Sequence, residues 1–370
     1  MIENDAHDLC YQFNFKFMIM TTTKTFLMLL AFGMIFLQTQ AAVIVVNASE
    51  DLNIIINSAK GGDTVLVKPG TYPKVSLSDK KFSEQKPLVV RANGSGTVIV
   101  KGDTIRKGSA LEVINCNYII IEGITFTNAM WGIYVKSSEH ILIRNNEIYY
   151  TGQEGCHIGR SSRYVDIIGN KIHHTGQFNS KWGEGVYVGS GSYGGSNFPD
   201  NCEYIWIEGN HIYETGNAEG INVKGESFHV TVRNNKIHDI HPGTSVQYNQ
   251  AGITVEGTEN SMKNNYRVSE MRDVWVENNT IENVSGGYSD WNNGIMFFGT
   301  GVYILNNTVN NCANIGIFGN NWKNLGMQNY VYGNMVTNCG TNMYLHPEVK
   351  VSKSDPGKNP HSPQKWYSNF

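Results

Sequence analysis

Eight polar residues recur at fixed offsets from a repeated glycine, and together they could do chemistry. Glu154, Glu184 and Glu219 each stand just before the glycine of QEG, GEG and AEG segments. His157, Tyr187 and Asn222 stand two residues after it, and Lys224 and Glu256 stand four after. Carboxylates, an imidazole and an amine gathered on one rigid surface can move protons or hold a cation. The three glutamates suit a hard, oxygen-seeking ion such as Ca2+. They could instead work in pairs as general acid and nucleophile, because neighbouring strands place carboxyl groups about 5 Å apart. Lys224 could take a proton if its pKa were lowered, with His157 or Arg160 as the next candidates. Glu256 would oppose that shift, so a Lys224–Glu256 salt bridge is the competing reading. The glutamates could equally be solvated corner residues, and His157 could simply bond a neighbouring tyrosine.

A repeat positions these residues. WGIYVKSSEHILIRNNEIYYTGQ, EGCHIGRSSRYVDIIGNKIHHTGQ and AEGINVKGESFHVTVRNNKIHDI share one register, and NNGIMFFGTGVYILNNTVNNC continues it. Apolar residues fall one and three after the glycine (Ile133 and Val135, Val186 and Val188, Ile221 and Val223). They recur five and three before an asparagine (Ile141 and Ile143, Val165 and Ile167, Val230 and Val232) and again two after it (Ile148, Ile172, Ile212, Ile237). Period-two alternation sends these side chains inward and their neighbours outward. Units this short cannot bury their own apolar face and must stack on copies of themselves. Three short strands per turn without a helical segment predict an all-β, single-domain parallel β-helix solenoid. The asparagine column (Asn146, Asn170, Asn210, Asn235, Asn279, Asn307, Asn334) is expected to mark the bend, in left-handed backbone with amides bonded rung to rung. Arg233, between Glu208 and Glu277 on consecutive rungs, reads as part of a surface ion ladder.

Insertions flank the first strand of the repeat and carry Trp182, Tyr193, Phe198, Tyr248, Tyr266, Tyr288 and Trp291. They would make that strand the floor of a groove with aromatic walls, suited to the apolar ring faces of an extended sugar chain. Tyr187, Asn222, Tyr193, Trp182 and Trp291 are the expected substrate contacts.

The net charge of −3 excludes the basic balance of a nucleic-acid binder. From Thr21, TTTKTFLMLLAFGMIFLQTQA has the layout of a cleaved secretory signal ahead of Ala41 and Ala42. Its apolar core is short for a spanning anchor, so a secreted monomer without a membrane span is expected. Cys312 and Cys339 hold equivalent places in consecutive repeats and form either a disulfide or a stacked pair of buried thiols. Sequons at Asn47, Asn93, Asn278, Asn283 and Asn306 would carry glycans in a eukaryotic host. Residues 1–42 read as extension and signal, 43–108 as amino-terminal cap and first rungs, 109–345 as the solenoid, and 346–370 as a mobile polar tail.

The short amphipathic helix in DLNIIINSAKGGDTVLVKPGTYPKVSLSD, followed by the repeats, resembles the pectin-lyase-like right-handed β-helix superfamily, from Ala42 to Leu345. The resemblance implies a right-handed solenoid with a capping helix. The superfamily includes polysaccharide lyases, glycoside hydrolases, epimerases and adhesins. Many of its lyases use a lysine or arginine base, with Ca2+ masking the uronate carboxylate. EGINVKG looks like such an arrangement, with Glu219 as ligand, Asn222 beside it and Lys224 as base. The paired DD, GHG and RIK segments of polygalacturonase-type hydrolases are missing, as are the vWiDH and RxPxxR patterns of the largest pectate lyase family. The residues therefore point to β-elimination by a smaller lyase family, with a hydrolase or a non-catalytic glycan binder as alternatives.

Overall fold

The computed structural model describes residues 41–190, 200–225, 227–240, 250–256, 273–285, 292–298, 301–320 and 328–370. The period-two alternation resolves into three long sheets of 12, 10 and 10 strands, every adjacent pair parallel and each strand stacked on its counterpart in the next rung. One column runs Ile133, Cys156, Val186, Ile221, Ile253, Ile295, Ile317 through successive strands. All seven side chains are buried in one continuous apolar core. Residues 42–370 form one compact unit. The strands Val75–Ser78, Leu88–Ala92 and Val98–Lys101 pair with the first strands beyond residue 108, so the cap and the solenoid are continuous.

The repeated glycine is a packing requirement. A Cβ on Gly155 would lie 2.5 Å from Ile172 Cγ2 and 2.7 Å from the Gly185 carbonyl oxygen. The same collision recurs at Gly185 with Ile212 and at Gly220 with Ile237. The glycine and the apolar residue two after the asparagine are therefore one feature, a corner where the backbone is pressed onto a branched side chain. That corner aims the preceding glutamate.

The asparagine amides form the expected ladder. Asn210 Nδ2 donates to Asn235 Oδ1 at 3.0 Å and to the Ile167 carbonyl at 2.9 Å, and its backbone N–H donates to Asn235 Oδ1 at 2.9 Å. The left-handed backbone falls one residue earlier than expected, at Asn145, Gly169, Gly209, Asn234, Asn278, Asn306 and Gly333. The column itself is turned inward, where its amides need buried partners, so the preceding residue makes the bend.

At the amino end, Asp51 caps the helix Leu52–Ser58 by accepting from Ile54 N at 3.0 Å. Asn53 and Asn57 tie the helix to Ser76 in the adjacent strand, while Leu52 and Ile56 close the core. Residues 1–40, on which the expected signal falls, lie outside the described residues, and no described helix is long and apolar enough to cross a membrane. Cys312 and Cys339 are neighbouring free thiols. Arg233 lies 3.3 Å from Glu208 and 3.6 Å from Glu277, as an ion ladder requires.

The tail expected to be mobile is packed along the outer face of the twelve-stranded sheet. Gln364 N donates to Asp166 Oδ2 at 2.9 Å, and the Tyr367 hydroxyl bonds the same carboxylate. Trp366 is buried against Val89, Ile120 and Leu142. Those three are outward residues of successive strands, and apolar side chains there need a cover that the polar composition of the tail does not advertise. Burial pushes the Asp166 carboxyl up to about 6 despite its bonds to Tyr367 and Gln364.

Candidate active site

The sheet built from Trp131–Lys136, Cys156–Gly159, Val186–Val188, Ile221–Val223 and Gln250–Val255 carries the candidate residues. Its register brings Tyr134, His157, Tyr187, Asn222 and Thr254 side by side on consecutive rungs. Gly155 N donates to the Glu184 carbonyl and Gly185 N to the Glu219 carbonyl, so the three glutamates also stack one per rung. The juxtaposition anticipated from spacing is present.

The environment differs from the one anticipated. Glu154, Glu184 and Glu219 are 5 %, 2 % and 4 % exposed, which removes the reading of solvated corner residues. Oε2 of Glu154 and of Glu184 is buried without a hydrogen-bond partner. Burial, then the charges of Glu154 and Glu219, hold the Glu184 carboxyl well above the usual carboxylate range. Burial raises Glu219 to about 7 against the pull of Lys224. A carboxyl raised in the folded state stabilises most below its ordinary value of 4.5, and that contribution is lost as pH rises through about 7. Glu219→Gln, neutral at every pH, should therefore gain on the native protein between pH 5 and pH 8. The gain should be on the order of 2 kcal/mol at the upper end, read from thermal melts. Equal melting differences at both pH values would show that Glu219 is ionised throughout.

Lys224 is also buried, which corrects any expectation of a solvent-facing amine. Its Nζ lies 2.5 Å from Glu256 Oε1 and 4.8 Å from the centre of the Tyr187 ring. Burial disfavours its charge, but Glu256, Tyr187, Glu219 and Glu184 outweigh it and hold the ammonium above the usual lysine range. A lysine held this way is a fixed cation. The salt bridge wins over the lowered-pKa base.

His157 stacks on Tyr134 with ring centres 4.2 Å apart and touches Tyr187 on its other side at 4.7 Å. Its Nε2 lies 3.2 Å from the Gly189 carbonyl, which can only accept, so Nε2 carries the proton. Its Nδ1 lies 3.4 Å from Glu154 Oε1. Arg160 is exposed and reaches Tyr134, whose hydroxyl is pushed up to about 12 by burial and then by Asp200. Asp200 has no motif to betray it, yet it is buried, accepts from Ser161 N at 3.0 Å and bonds Ser190. Trp182 is exposed on the turn before Val186–Val188, as a wall residue would be. Tyr193, Phe198, Tyr248, Tyr266, Tyr288 and Trp291 lie outside the described residues.

The donor chemistry at the three glutamates suits Ca2+, but their ligand atoms do not all lie within 4.8 Å of one another. Among the described residues, the one trio of His, Cys, Asp or Glu side chains with ligand atoms within 4.8 Å of one another lies elsewhere.

The family described as "Right handed beta helix region" matches residues 41–269. The chain belongs to that family. Among solved structures, this right-handed β-helix is similar to the alginate lyase from Paenibacillus sp. str. FPU-7, with 21% identity and a TM-score of 0.62. That match covers 84% of this chain and 98% of the other. It is also similar to pectate lyase Pel9A, with 14% identity, a TM-score of 0.51, and 86% and 78% of the two chains covered. The Dettilon tailspike protein matches with 16% identity and a TM-score of 0.50, over 80% of this chain and 64% of that one. At these identities the likeness is one of fold. Comparison with curated protein sequences finds no match.

Proposed function

We propose that the protein is a secreted lyase that cleaves a uronate-containing polysaccharide by β-elimination over the Glu154–Lys224 patch. The observation that carries this reading is the buried Lys224 ammonium set beside Tyr187 and the stacked glutamates on the middle rungs. β-Elimination needs the uronate carboxylate neutralised, the adjacent C–H proton removed, and a proton returned to the leaving glycosidic oxygen. Lys224 supplies a fixed positive charge for the carboxylate and for the enolate that forms from it. Glu184, whose carboxyl burial holds well above the usual range, can in its neutral form donate a hydrogen bond to the same carboxylate. The proton transfers fall to the groups beside that charge, Tyr187 and His157, whose strands are in direct register. Solved lyases for alginate and pectate use this fold, which supports the substrate class.

A hydrolase is the second reading. It is favoured by one observation, a buried Glu184 carboxyl held well above the usual range one rung from Glu219, which is raised to about 7. Incubating the protein with alginate, polygalacturonate and neutral glucans separates the cases. Unsaturated products absorbing in the ultraviolet, from an acidic polymer and unaffected by EGTA, are expected. Saturated products would establish the hydrolase, and binding without cleavage would leave a glycan-binding module. Loss of cleavage in EGTA, restored by Ca2+, would overturn the metal-free site.

A further inference from the structure

We propose that His229 Nδ1, Asp273 Oδ2 and His361 Nε2 form a site for a divalent ion of the zinc type, which fastens the C-terminal segment to the solenoid. Two imidazoles and a carboxylate are the donor set such ions take, with a water in the remaining position. His229 Nδ1 lies 2.9 Å and His361 Nε2 lies 2.5 Å from the same oxygen, Asp273 Oδ2. Among the described residues no other trio gathers its ligand atoms within 4.8 Å.

The half of the site on the solenoid is pre-set. Val230 pairs with Val274, so His229 and Asp273 are carried on adjacent rungs. Asp273 Oδ1 accepts from Trp275 Nε1 at 2.6 Å, which fixes the carboxylate and leaves Oδ2 facing the histidines. The His229 ring is stacked on Tyr204, 4.8 Å away and 13° from parallel. Partners of this kind orient ligands in metal sites. A tetrahedral ion with bonds of about 2.0–2.1 Å holds its ligands roughly 3.3 Å apart, so the trio must spread by less than about 1 Å. His361, on the segment that crosses the sheet surface, can supply that movement. The three side chains are 28 %, 18 % and 21 % exposed, open enough for an ion to enter. The ion would add a bond between the tail and the sheet that Trp366 covers, and none of this depends on the polysaccharide reading.

The test uses tag-free protein stripped with chelator and titrated with ZnCl2 by calorimetry. One ion per chain is expected, with affinity reduced at least about tenfold in His229→Ala and in His361→Ala. Zinc should slow tryptic cleavage after Lys358 and Lys365 in the native protein and not in His361→Gln, which keeps a hydrogen-bond donor but is a poor ligand. His361 lies outside the core, so its variants should melt as one folded species. Zinc uptake that neither His361 variant reduces would overturn the site. Unchanged tail cleavage with zinc would reduce the trio to a hydrogen-bonded latch and overturn it as well.

Discussion

Replacing Ile221 with aspartate should leave no cooperatively folded protein. Ile221 is fully buried, with Val186 and Ile253 on the adjacent rungs of the same column. The change removes about 2–3 kcal/mol of apolar burial and puts a carboxyl among aliphatic side chains. An unpartnered buried charge costs several kcal/mol more, whether it stays ionised or takes up a proton. Domains commonly have about 5–15 kcal/mol in all. The lesion sits in mid-solenoid, where each rung depends on its neighbours for a partner surface. The exposed Lys236, one residue from the inward Ile237, is the control, and Lys236→Asp should fold normally. Circular dichroism melts and soluble yield read both outcomes. A soluble Ile221→Asp protein with a single sharp transition would mean that the register is wrong.

That register was legible because stacking imposes an alternation which every rung must repeat. Ile133, Val186 and Ile221 all obey it, and so do the outward His157, Tyr187 and Asn222. The amide ladder was legible for the same reason, since Asn170, Asn210 and Asn235 each satisfy the one before. The left-handed residue was displaced by one because Asn145 and Asn146 look alike in sequence and only their burial separates them. Burial of the Glu154 column was not legible. Whether an outward residue meets water depends on what lies over it, and no periodicity encodes that. The docked tail was hidden similarly, since its ligands to the sheet are single residues in a polar, proline-bearing stretch. The outward column Val89, Ile120, Leu142 was the available sign that something must cover that face. The trio His229, Asp273 and His361 draws on three distant parts of the chain, which spacing rules do not connect.

Lys224→Ala should abolish cleavage of the polymer identified above and also destabilise the protein, unlike the substitution of an exposed base. It leaves the Glu256 carboxylate buried at 7 % exposure without the cation 2.5 Å away. Removing one partner of a buried pair costs about 3–5 kcal/mol, chiefly through the charge left behind. It also takes the nearest positive charge from Glu219 and Glu184, favouring their protonated forms still further. Loss of activity in the single variant is therefore ambiguous between chemistry and folding. The double variant Lys224→Met with Glu256→Gln removes both charges together and keeps similar volumes. It should recover most of the lost melting temperature, because two neutral side chains meet where an ion pair stood. It should remain inactive, because no fixed cation is left to face the uronate carboxylate or the developing enolate. Melts and initial rates on the three proteins decide the matter. If the double variant regains both stability and activity, the Lys224–Glu256 pair is a strut and the chemistry lies with other residues. If Lys224→Ala is inactive yet as stable as the native protein, the cation serves catalysis and Glu256 is less enclosed than its burial indicates.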